Sequence, residues 1–366
     1  MPRNASQPER DKTTHPPHGS ARSGLSSNGE EVKIGDWLLG FRRSEADELG
    51  HLITGKEMAN RTAVTGFLLL GFSEVREVRL VQAAPFLPVY LAALTGNLLV
   101  VAVTALDRRL RAPMYFFLGH LSVLDLCYIS VTVPQSVHNS LTDNRSISFL
   151  GCVFQLFFLL LFAFSELYFL TAMSYDRYAA ICRPLRYGVI MDRGACGKMA
   201  AASWLGGTVS AATHAAATFS AGFGGSDVIR HFFCDTPQMM ELSGPGGNLQ
   251  EIGVTVFSAI LNVSCLVSIV VSYARIFGAV LRMPAAEGRA RAFSTCLPHL
   301  AVVILFISTG TVAHLKPPSA SSSTPDLLVS VFYTVVPPAL NPLIYSLRNR
   351  DVKAALGRLP GVRGWL

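Results

Sequence analysis

Seven stretches of the sequence are each long and apolar enough to cross a lipid bilayer as an α-helix. The hydrocarbon core of a bilayer is about 30 Å thick, so a helix needs roughly 20 mostly apolar residues to cross it. This feature constrains the fold more than any other, because backbone hydrogen bonds in lipid must be satisfied within each helix. The predicted spans, numbered one to seven along the chain, are residues 83–106, 114–138, 152–178, 197–219, 251–278, 293–314 and 327–347.

The composition supports a membrane protein and gives no sign of an enzyme. Hydrophobic residues make up 50% of the chain and charged residues only 15%, whereas about 25% of a soluble domain is charged. The sequence has no P-loop, no GxGxxG after a strand, no HExxH and no paired CxxC. Span four is less apolar, but its many small residues suit close helix contacts in lipid. We therefore predict an all-α membrane protein, a seven-transmembrane helix bundle without catalytic residues.

The placement of Lys and Arg predicts the orientation, because short cytoplasmic loops carry an excess of positive charge. One set of connections, together with the C-terminal tail, holds fifteen Lys and Arg residues, whereas the opposite set holds only Arg145, Arg230 and Lys316. The N-terminus is therefore predicted outside the cell and the C-terminus inside, as in a multi-pass plasma-membrane protein. Topology accounts for most of the net charge of +7, which removes the argument for a nucleic-acid partner.

The residues before span one fall into two parts. Residues 1–57 are polar and rich in Pro, Ser and Gly, which is typical of disorder, and they lack the apolar core of a signal peptide. We interpret them as an extension, an upstream artefact if translation begins at Met58. Residues 58–82 then form an extracellular segment, 83–347 the membrane domain, and 348–366 a cytoplasmic tail with a short amphipathic helix. Asn60, in an Asn-Arg-Thr sequon, is the predicted glycosylation site.

Ionisable groups inside a span are costly and therefore indicate function. From the helical rise, Asp125 lies roughly 16 Å and Glu166 roughly 18 Å from the cytoplasmic ends of their spans. Two carboxylates at one level cannot both be bare anions, so one holds a proton or a cation lies between them; two separately protonated carboxyls are the alternative. Asn97 and Asn341 are predicted to join this layer. Pro342 removes a backbone donor and predicts a bend there, either a moving part or a static kink.

Asp176, Arg177 and Tyr178 close span three on the cytoplasmic side. Adjacent helical residues diverge by about 100°, so Arg177 can turn inward while Asp176 neighbours it at the rim. One interpretation is a pair of charged residues at the membrane surface whose charged groups extend into water. The other is a guanidinium that changes partners between two conformations, and spacing alone leaves both open.

Several motifs then occur in a fixed order on the predicted spans. They are FLLLGF at 67–72, GNLL at 96–99, PMYFFLGHLSVLDLCY at 113–128, MSYDRYAAICRPLRY at 173–187, HFFCD at 231–235, SY at 272–273, RAFSTCLPHL at 291–300 and NPLIYSLRNRDVKAAL at 341–356. From about residue 58 to 358, the chain resembles the olfactory (odorant) receptors, a group of rhodopsin-like G-protein-coupled receptors.

The resemblance implies a receptor for small volatile odorants that activates the stimulatory olfactory G protein and raises cyclic AMP. It implies a sodium ion as a modulator at Asp125 and Glu166, and a disulfide between Cys152 and Cys234. The residues implied to form the G-protein switch are Asp176, Arg177, Tyr178, Tyr273 and Tyr345, and those of the mid-membrane layer are Asn97, Asp125, Glu166, Asn341 and Pro342.

The ligand pocket is predicted in the outer half of the bundle, between spans three, five and six. Its lining is apolar with a few hydroxyls and has no acid at the level of Leu159, which fits a small, largely apolar ligand rather than a tightly held amine. Each residue could instead pack against another helix or lipid. The predicted lining residues are Leu159, Leu160, Ala163, Phe164, Phe257, Ser258, Leu261, Ser308, Thr311 and His314.

The sequence also departs from the family pattern. Gly224 and Gly244 stand where two further cysteines of the second outer loop usually pair, which predicts a looser loop and leaves open a receptor that has lost function. His120 replaces a common asparagine, and Arg291 replaces a common lysine. Two other functions stay open: a rhodopsin-like receptor for a non-odorant metabolite outside the olfactory epithelium, and a transporter. The absence of a detectable internal repeat weighs against the transporter.

Overall fold

The computed structural model describes residues 65–70, 75–142, 144–220, 223, 227–242, 249–315 and 324–358. The predicted extension 1–57, Asn60, Gly224 and Gly244 lie outside the described residues. The helices of the seven spans are, in order, Arg76–Ala83 with Phe86–Leu106, Pro113–Thr142, Phe149–Cys182, Arg193–Ser220, Leu249–Leu281, Ala286–Leu315, and Thr324–Thr334 with Val336–Arg348. These helices follow the predicted spans and confirm the helical bundle.

Five of these helices are individually long and apolar enough to cross a bilayer, and the two helices of span seven pass together as a pair bent by 44°. Span four, at 28 residues, is less apolar but packs closely along span three. A side chain at Gly207 would lie 3.0 Å from the Leu161 carbonyl oxygen, so this contact needs glycine. Tyr168 also hydrogen-bonds Ser210 across the same interface, at 3.1 Å. Small residues therefore hold span four in the bundle, as predicted.

Span one begins earlier than predicted. Its first helix starts at Arg76, breaks at Ala84 and Pro85, and continues from Phe86. The first turns carry charged residues among apolar ones, so they do not contribute to the apolar window from which the span was predicted. Part of the predicted extracellular segment 58–82 is therefore helical.

A three-stranded sheet covers part of the outer end and was not predicted. Strand β1 (Gly66–Leu69) pairs antiparallel with β2 (Ser146–Ser148) and parallel with β3 (Val228–Ile229). Phe67 and Leu69 of β1 are buried in a cluster with the cysteines at the top of span three and in the second outer loop. The sheet thus ties the segment before span one to two outer loops.

The cytoplasmic side of the described chain carries three short helical elements outside the spans. The second inner loop forms a 3₁₀ turn at Pro184–Arg186 and a helix at Tyr187–Ile190. After span seven, the predicted amphipathic helix is present at Arg350–Leu356, where Asn349 caps the first turn by accepting from two backbone N–H groups. Its apolar face buries Val352 and Leu356 in the main core.

The same helix is tied to the first inner loop. Arg358 Nε donates to Asp107 Oδ2 at 3.1 Å, and Tyr115 donates to Asp351 at 2.8 Å. The backbone N–H of Arg109 and the Arg358 guanidinium hold the pKa of Asp107 below its usual value. These contacts place the cytoplasmic ends of spans one, two and seven beside one another.

Candidate functional site

Two carboxylates meet inside the bundle through one amide. Asn341 Nδ2 on span seven donates to Asp125 Oδ1 and Oδ2 on span two at 3.0 and 3.1 Å, and to Glu166 Oε1 on span three at 3.3 Å. All three side chains are buried. The structure therefore brings together the two acids that the sequence placed at one depth. Because buried like charges repel strongly, both can be ionised only if a cation neutralises them.

Asn97 joins this layer through the backbone of span seven. Pro342 has no N–H, so the carbonyl of Pro338, four residues earlier, has no helical donor. Asn97 Nδ2 donates to that carbonyl at 2.9 Å and to Ala93 O at 3.0 Å. The two helices approach closely, since a side chain at Gly96 would lie 3.0 Å from Pro342 Cγ. Asn97 and Pro342 thus work as a pair that joins spans one and seven.

The bend of span seven lies above this layer rather than at Pro342. The helix breaks at Val335 with an angle of 44°, and Pro342 sits inside the continuous helix Val336–Arg348. The cause is the Pro337-Pro338 pair just after the break, which removes the backbone donors for two carbonyls of the preceding turn. Tyr128 of span two donates to one of these, Tyr333 O, over a long 3.5 Å.

Asp176 is the buried centre of the cytoplasmic site, with Arg177 beside it. Arg177 Nε donates to Asp176 Oδ2 at 3.0 Å, and Tyr187 of the second inner loop donates to Oδ1 at 2.7 Å. Asp176 is fully buried and Arg177 is 12% exposed. Tyr178 packs against the main core. Arg177 is thus turned toward its neighbour Asp176, an arrangement in which the loop carrying Tyr187 takes part.

Tyr273 and Tyr345, which the resemblance assigns to the G-protein switch, form no hydrogen bond with Arg177 in this conformation. Tyr273 OH on span five donates to His299 Nδ1 on span six at 2.7 Å, and His299 Nε2 donates to Leu170 O on span three at 3.0 Å. A carbonyl can only accept, so the neutral ring carries its proton on Nε2 and accepts at Nδ1. Tyr345 OH is buried with no hydrogen-bond partner among the described residues.

His299 was not singled out from the sequence, although it lies in RAFSTCLPHL. It is 2% exposed and joins three spans. A histidine inside an apolar span is costly unless both ring nitrogens are bonded, which is the signal that could have identified it.

The predicted ligand residues separate into three groups. Leu159 and Ala163 border an apolar cluster in the outer half that also contains Phe232 and Phe233 of the second outer loop. Leu160 and Leu261 are half-buried. In the structure, span three and the second outer loop thus pack together around Leu159.

The second group surrounds an unpredicted histidine of span four. Ser258 is buried and hydrogen-bonded to His214 Nε2 at 2.6 Å. The Phe164 ring stacks on His214 with centroids 5.5 Å apart. The contacts of His214 with Ser258 and Phe164 therefore join spans three, four and five.

The third group faces outward. Phe257 is 60% exposed, and Ser308 and Thr311 are exposed as well. The Ser308 hydroxyl donates to the carbonyl of Leu305 in its own helix, at 3.1 Å. The side chain of His314 lies outside the described residues. Span six is therefore turned so that its predicted hydroxyls do not meet those of the second group.

The outer end of the bundle is fastened by the Cys152–Cys234 disulfide, with Cα atoms 5.5 Å apart. Gln155, one turn into span three, accepts from the Cys234 backbone N–H at 2.8 Å. Asp235 accepts from Tyr333 of span seven and lies 3.2 Å from His231 Nδ1. The second outer loop is thus fixed to span three and span seven without the second cysteine pair of the family.

His120 also has a structural explanation. Its Nδ1 accepts from Trp204 Nε1 of span four at 3.4 Å, and its ring stacks on Phe169 at 5.2 Å. An asparagine side chain can offer a similar acceptor, so the histidine retains a link between spans two and four.

Comparisons with known proteins agree with this geometry. A sequence profile of the olfactory receptor family matches residues 86–360. Olfactory receptor 14J1 from Homo sapiens is 54% identical over 302 residues, which cover 82% of this chain and 94% of that protein. The chain belongs to the olfactory receptor family.

Other members of this family match at similar length. Olfactory receptor 14A16 from Homo sapiens is 50% identical over 82% of this chain and 97% of that protein. Olfactory receptor 5AP2 from Mus musculus is 44% identical over 83% of this chain and 96% of that protein. An olfactory receptor is a multi-pass membrane protein and not an enzyme, so the predictions of localisation and of no catalytic activity are confirmed.

The fold has a counterpart among solved structures. The crystal structure of squid rhodopsin superposes with a TM-score of 0.56, covering 78% of this chain and 87% of that chain at 19% identity. At this identity the likeness concerns the fold, and it supports a seven-helix receptor fold for this olfactory receptor.

Proposed function

We propose that this olfactory receptor binds small, largely apolar volatile odorants and activates the stimulatory olfactory G protein, which raises cyclic AMP. The observation that carries the proposal is the family match, which extends through the described bundle and both of its polar sites. The membrane domain is the part of the chain that receives the ligand, and the cytoplasmic site is the part that meets the G protein.

The ligand class follows from the side chains of the outer half. Leu159, Ala163, Phe232 and Phe233 offer apolar surface, and Ser258 with His214 offers one polar pair. Pockets of this composition bind ligands that are mostly apolar and have a few matched polar groups. No carboxylate of span three lies at the level of Leu159, which disfavours an amine.

Signalling would arise from a shift between two states. An odorant that binds the active state better moves the population toward that state. In the described conformation Arg177 is engaged by Asp176, and span six is linked to spans three and five through His299. Release of both contacts would let span six swing outward at its cytoplasmic end and let Arg177 meet the G protein.

The carboxylate layer is a candidate sodium site. Asp125 and Glu166 supply oxygen ligands, and Asn341 Oδ1 is a buried acceptor without a partner among the described residues. Hard cations prefer such oxygen donors. Groups of three or more His, Cys, Asp or Glu suited to a metal do not occur in the described part of the chain, so two carboxylates suit a monovalent ion as a modulator.

The sodium proposal predicts a salt-specific effect on signalling. Exchange of sodium for N-methylglucamine should raise basal cyclic AMP, and Glu166→Gln should abolish that response at equal surface expression. An identical sodium response in Glu166→Gln would exclude this carboxylate as a ligand.

The receptor function is tested by a cyclic AMP screen of volatile odorants on cells that express the chain from Met1 or from Met58. A response to at least one small apolar volatile, absent in untransfected cells, is expected. If surface-expressed receptor of both lengths fails to respond to odorants but responds to a non-volatile metabolite, the odorant assignment is wrong and the metabolite alternative stands.

A further inference from the structure

A groove of about 530 Å³ runs between spans five and six, and the function proposed above does not use it. Its floor contains Ile269, Tyr273 and Val303, which are all buried. Its rim contains Val270 and Ile304, which are 58% and 64% exposed. The groove therefore opens sideways, on the face that these membrane-crossing helices present to lipid.

The chemistry of the lining selects a hydrocarbon occupant. Of the described residues that line the groove, only Tyr273 and Ser308 carry polar side-chain atoms. The Tyr273 hydroxyl donates to His299, and the Ser308 hydroxyl donates to the carbonyl of Leu305. A polar occupant would leave its own hydrogen-bonding groups unpaired in this groove, at a considerable cost.

The groove has the length of one bilayer leaflet. On span five it extends from Leu266 to Phe277, which is roughly 16 Å at the helical rise. Half of a bilayer core is about 15 Å. Phe277 lies toward the cytoplasmic end of the helix, so most of the groove lies in the inner leaflet, with Ser308 at its outer end. The groove can hold a single acyl chain along its length.

Basic residues stand at the inner end of the same two helices. Arg275 and Arg282 on span five and Arg291 at the start of span six are exposed. The Arg289 guanidinium donates to the backbone carbonyl of Met283 at 3.1 Å. The acidic residue nearest to these arginines in the sequence is Glu287. Within the described part of the chain, none of the three exposed arginines forms an ion pair. An anionic headgroup would neutralise them, since basic groups at this surface attract anionic lipids.

We propose that this groove binds an anionic phospholipid of the cytoplasmic leaflet, with one acyl chain between spans five and six and the phosphate at Arg282 and Arg291. The acyl chain would lie against Tyr273, which connects span five to His299 of span six. Binding there needs no odorant, so the site can be tested apart from the proposed receptor function.

The test uses full-length receptor in nanodiscs that contain a phosphatidylserine with a diazirine in its acyl chain. After irradiation, mass spectrometry locates the labelled peptides. Val270→Trp fills the groove, while Val271→Trp places the same ring at the same depth on a neighbouring position that is 47% exposed and outside the groove. Loss of about 40 Å² of apolar contact corresponds to about 1 kcal/mol, so labelling of the groove should fall about fivefold or more in the first variant only.

The headgroup is tested by Arg282→Gln and Arg291→Gln, with Arg193→Gln at the exposed start of span four as control. Arg282 and Arg291 should each contribute about fivefold to the preference for phosphatidylserine over a matched phosphatidylcholine, the factor for about 1 kcal/mol. Equal labelling by both lipids, or equal loss from Val270→Trp and Val271→Trp, would overturn the proposal. Should Val270→Trp fail to fold, Ile304→Trp closes the groove from span six and is judged by the same criterion.

Discussion

Tyr187→Phe removes the hydroxyl that donates a hydrogen bond to Asp176 in the cytoplasmic site. Tyr187 donates to Asp176 Oδ1 at 2.7 Å, while Arg177 Nε donates to Oδ2 at 3.0 Å. Burial, and then the neighbouring Asp176 carboxylate, raise the pKa of Tyr187. The phenol therefore stays protonated and keeps donating at any pH used with living cells. Phenylalanine retains the ring, so the substitution isolates the hydrogen bond.

The expected magnitude follows from the bond that is lost. A hydrogen bond to a charged group contributes about 1.5–3 kcal/mol. If the contact exists only in the inactive state, its loss shifts the two-state equilibrium by that amount, and every 1.4 kcal/mol is a factor of about ten. A receptor with roughly 1% of its population active should then reach about 10% for a loss of 1.5 kcal/mol and about 60% for a loss of 3 kcal/mol.

Basal cyclic AMP, divided by surface receptor measured with an N-terminal tag, reports this shift without an odorant. Tyr175→Phe is the matched control, because Tyr175 precedes Asp176 on span three, is 43% exposed and makes no hydrogen bond in the described part of the chain. The reasoning fails if basal cyclic AMP in Tyr187→Phe stays at the wild-type value at equal surface expression. It fails equally if Tyr175→Phe raises basal cyclic AMP as much.

Three further substitutions examine the other contacts. Arg177→Ala should abolish odorant-stimulated cyclic AMP while surface expression is kept; a retained response would exclude its role toward the G protein. Cys234→Ser opens a ring of 82 residues, and chain entropy predicts that this lowers the free energy of unfolding by about 4.5 kcal/mol. Flow cytometry should therefore find little Cys234→Ser receptor at the surface, whereas Cys265→Ser should leave surface expression unchanged. His299→Phe removes both hydrogen bonds between span six and its neighbours and should raise basal cyclic AMP, and an unchanged basal signal would show that these bonds do not favour the inactive state.

The spans were predictable because their signal is local. Twenty apolar residues in sequence are sufficient to identify a span, and the depth of Asp125 and Glu166 follows from counting along two helices. The start of span one was missed because its first helix mixes charged residues with apolar ones. Strand β1 was missed because four residues between glycines carry little periodic signal, and its partners lie in outer loops distant in sequence.

The contacts of the sites depend on how the helices are rotated about their axes, which sequence spacing does not specify. Asn97 was predicted to join the layer of the two acids, and its acceptors are two backbone carbonyls, one of which Pro342 leaves without a helical donor. Ser258 and Ser308 were assigned to one pocket, yet Ser258 faces His214 while Ser308 faces outward. Sequence spacing thus gives the position of a residue along its helix, but it does not give the residues that its side chain contacts.

Span three takes part in two separate contacts, one with the second inner loop and one with span six. Arg177 is held by Asp176 and, through it, by Tyr187 of the inner loop, and it has no hydrogen bond or ion pair to span six within the described residues. Span six is held instead by His299, which donates to Leu170 O, seven residues or roughly 10 Å farther from the cytoplasm on span three. Sites separated by more than about 7–10 Å and sharing no partner usually contribute additively. If the two contacts are independent, Tyr187→Phe and His299→Phe combined should multiply their effects on basal cyclic AMP. A double variant no more active than the stronger single one would mean that the loss of one contact already disrupts the other.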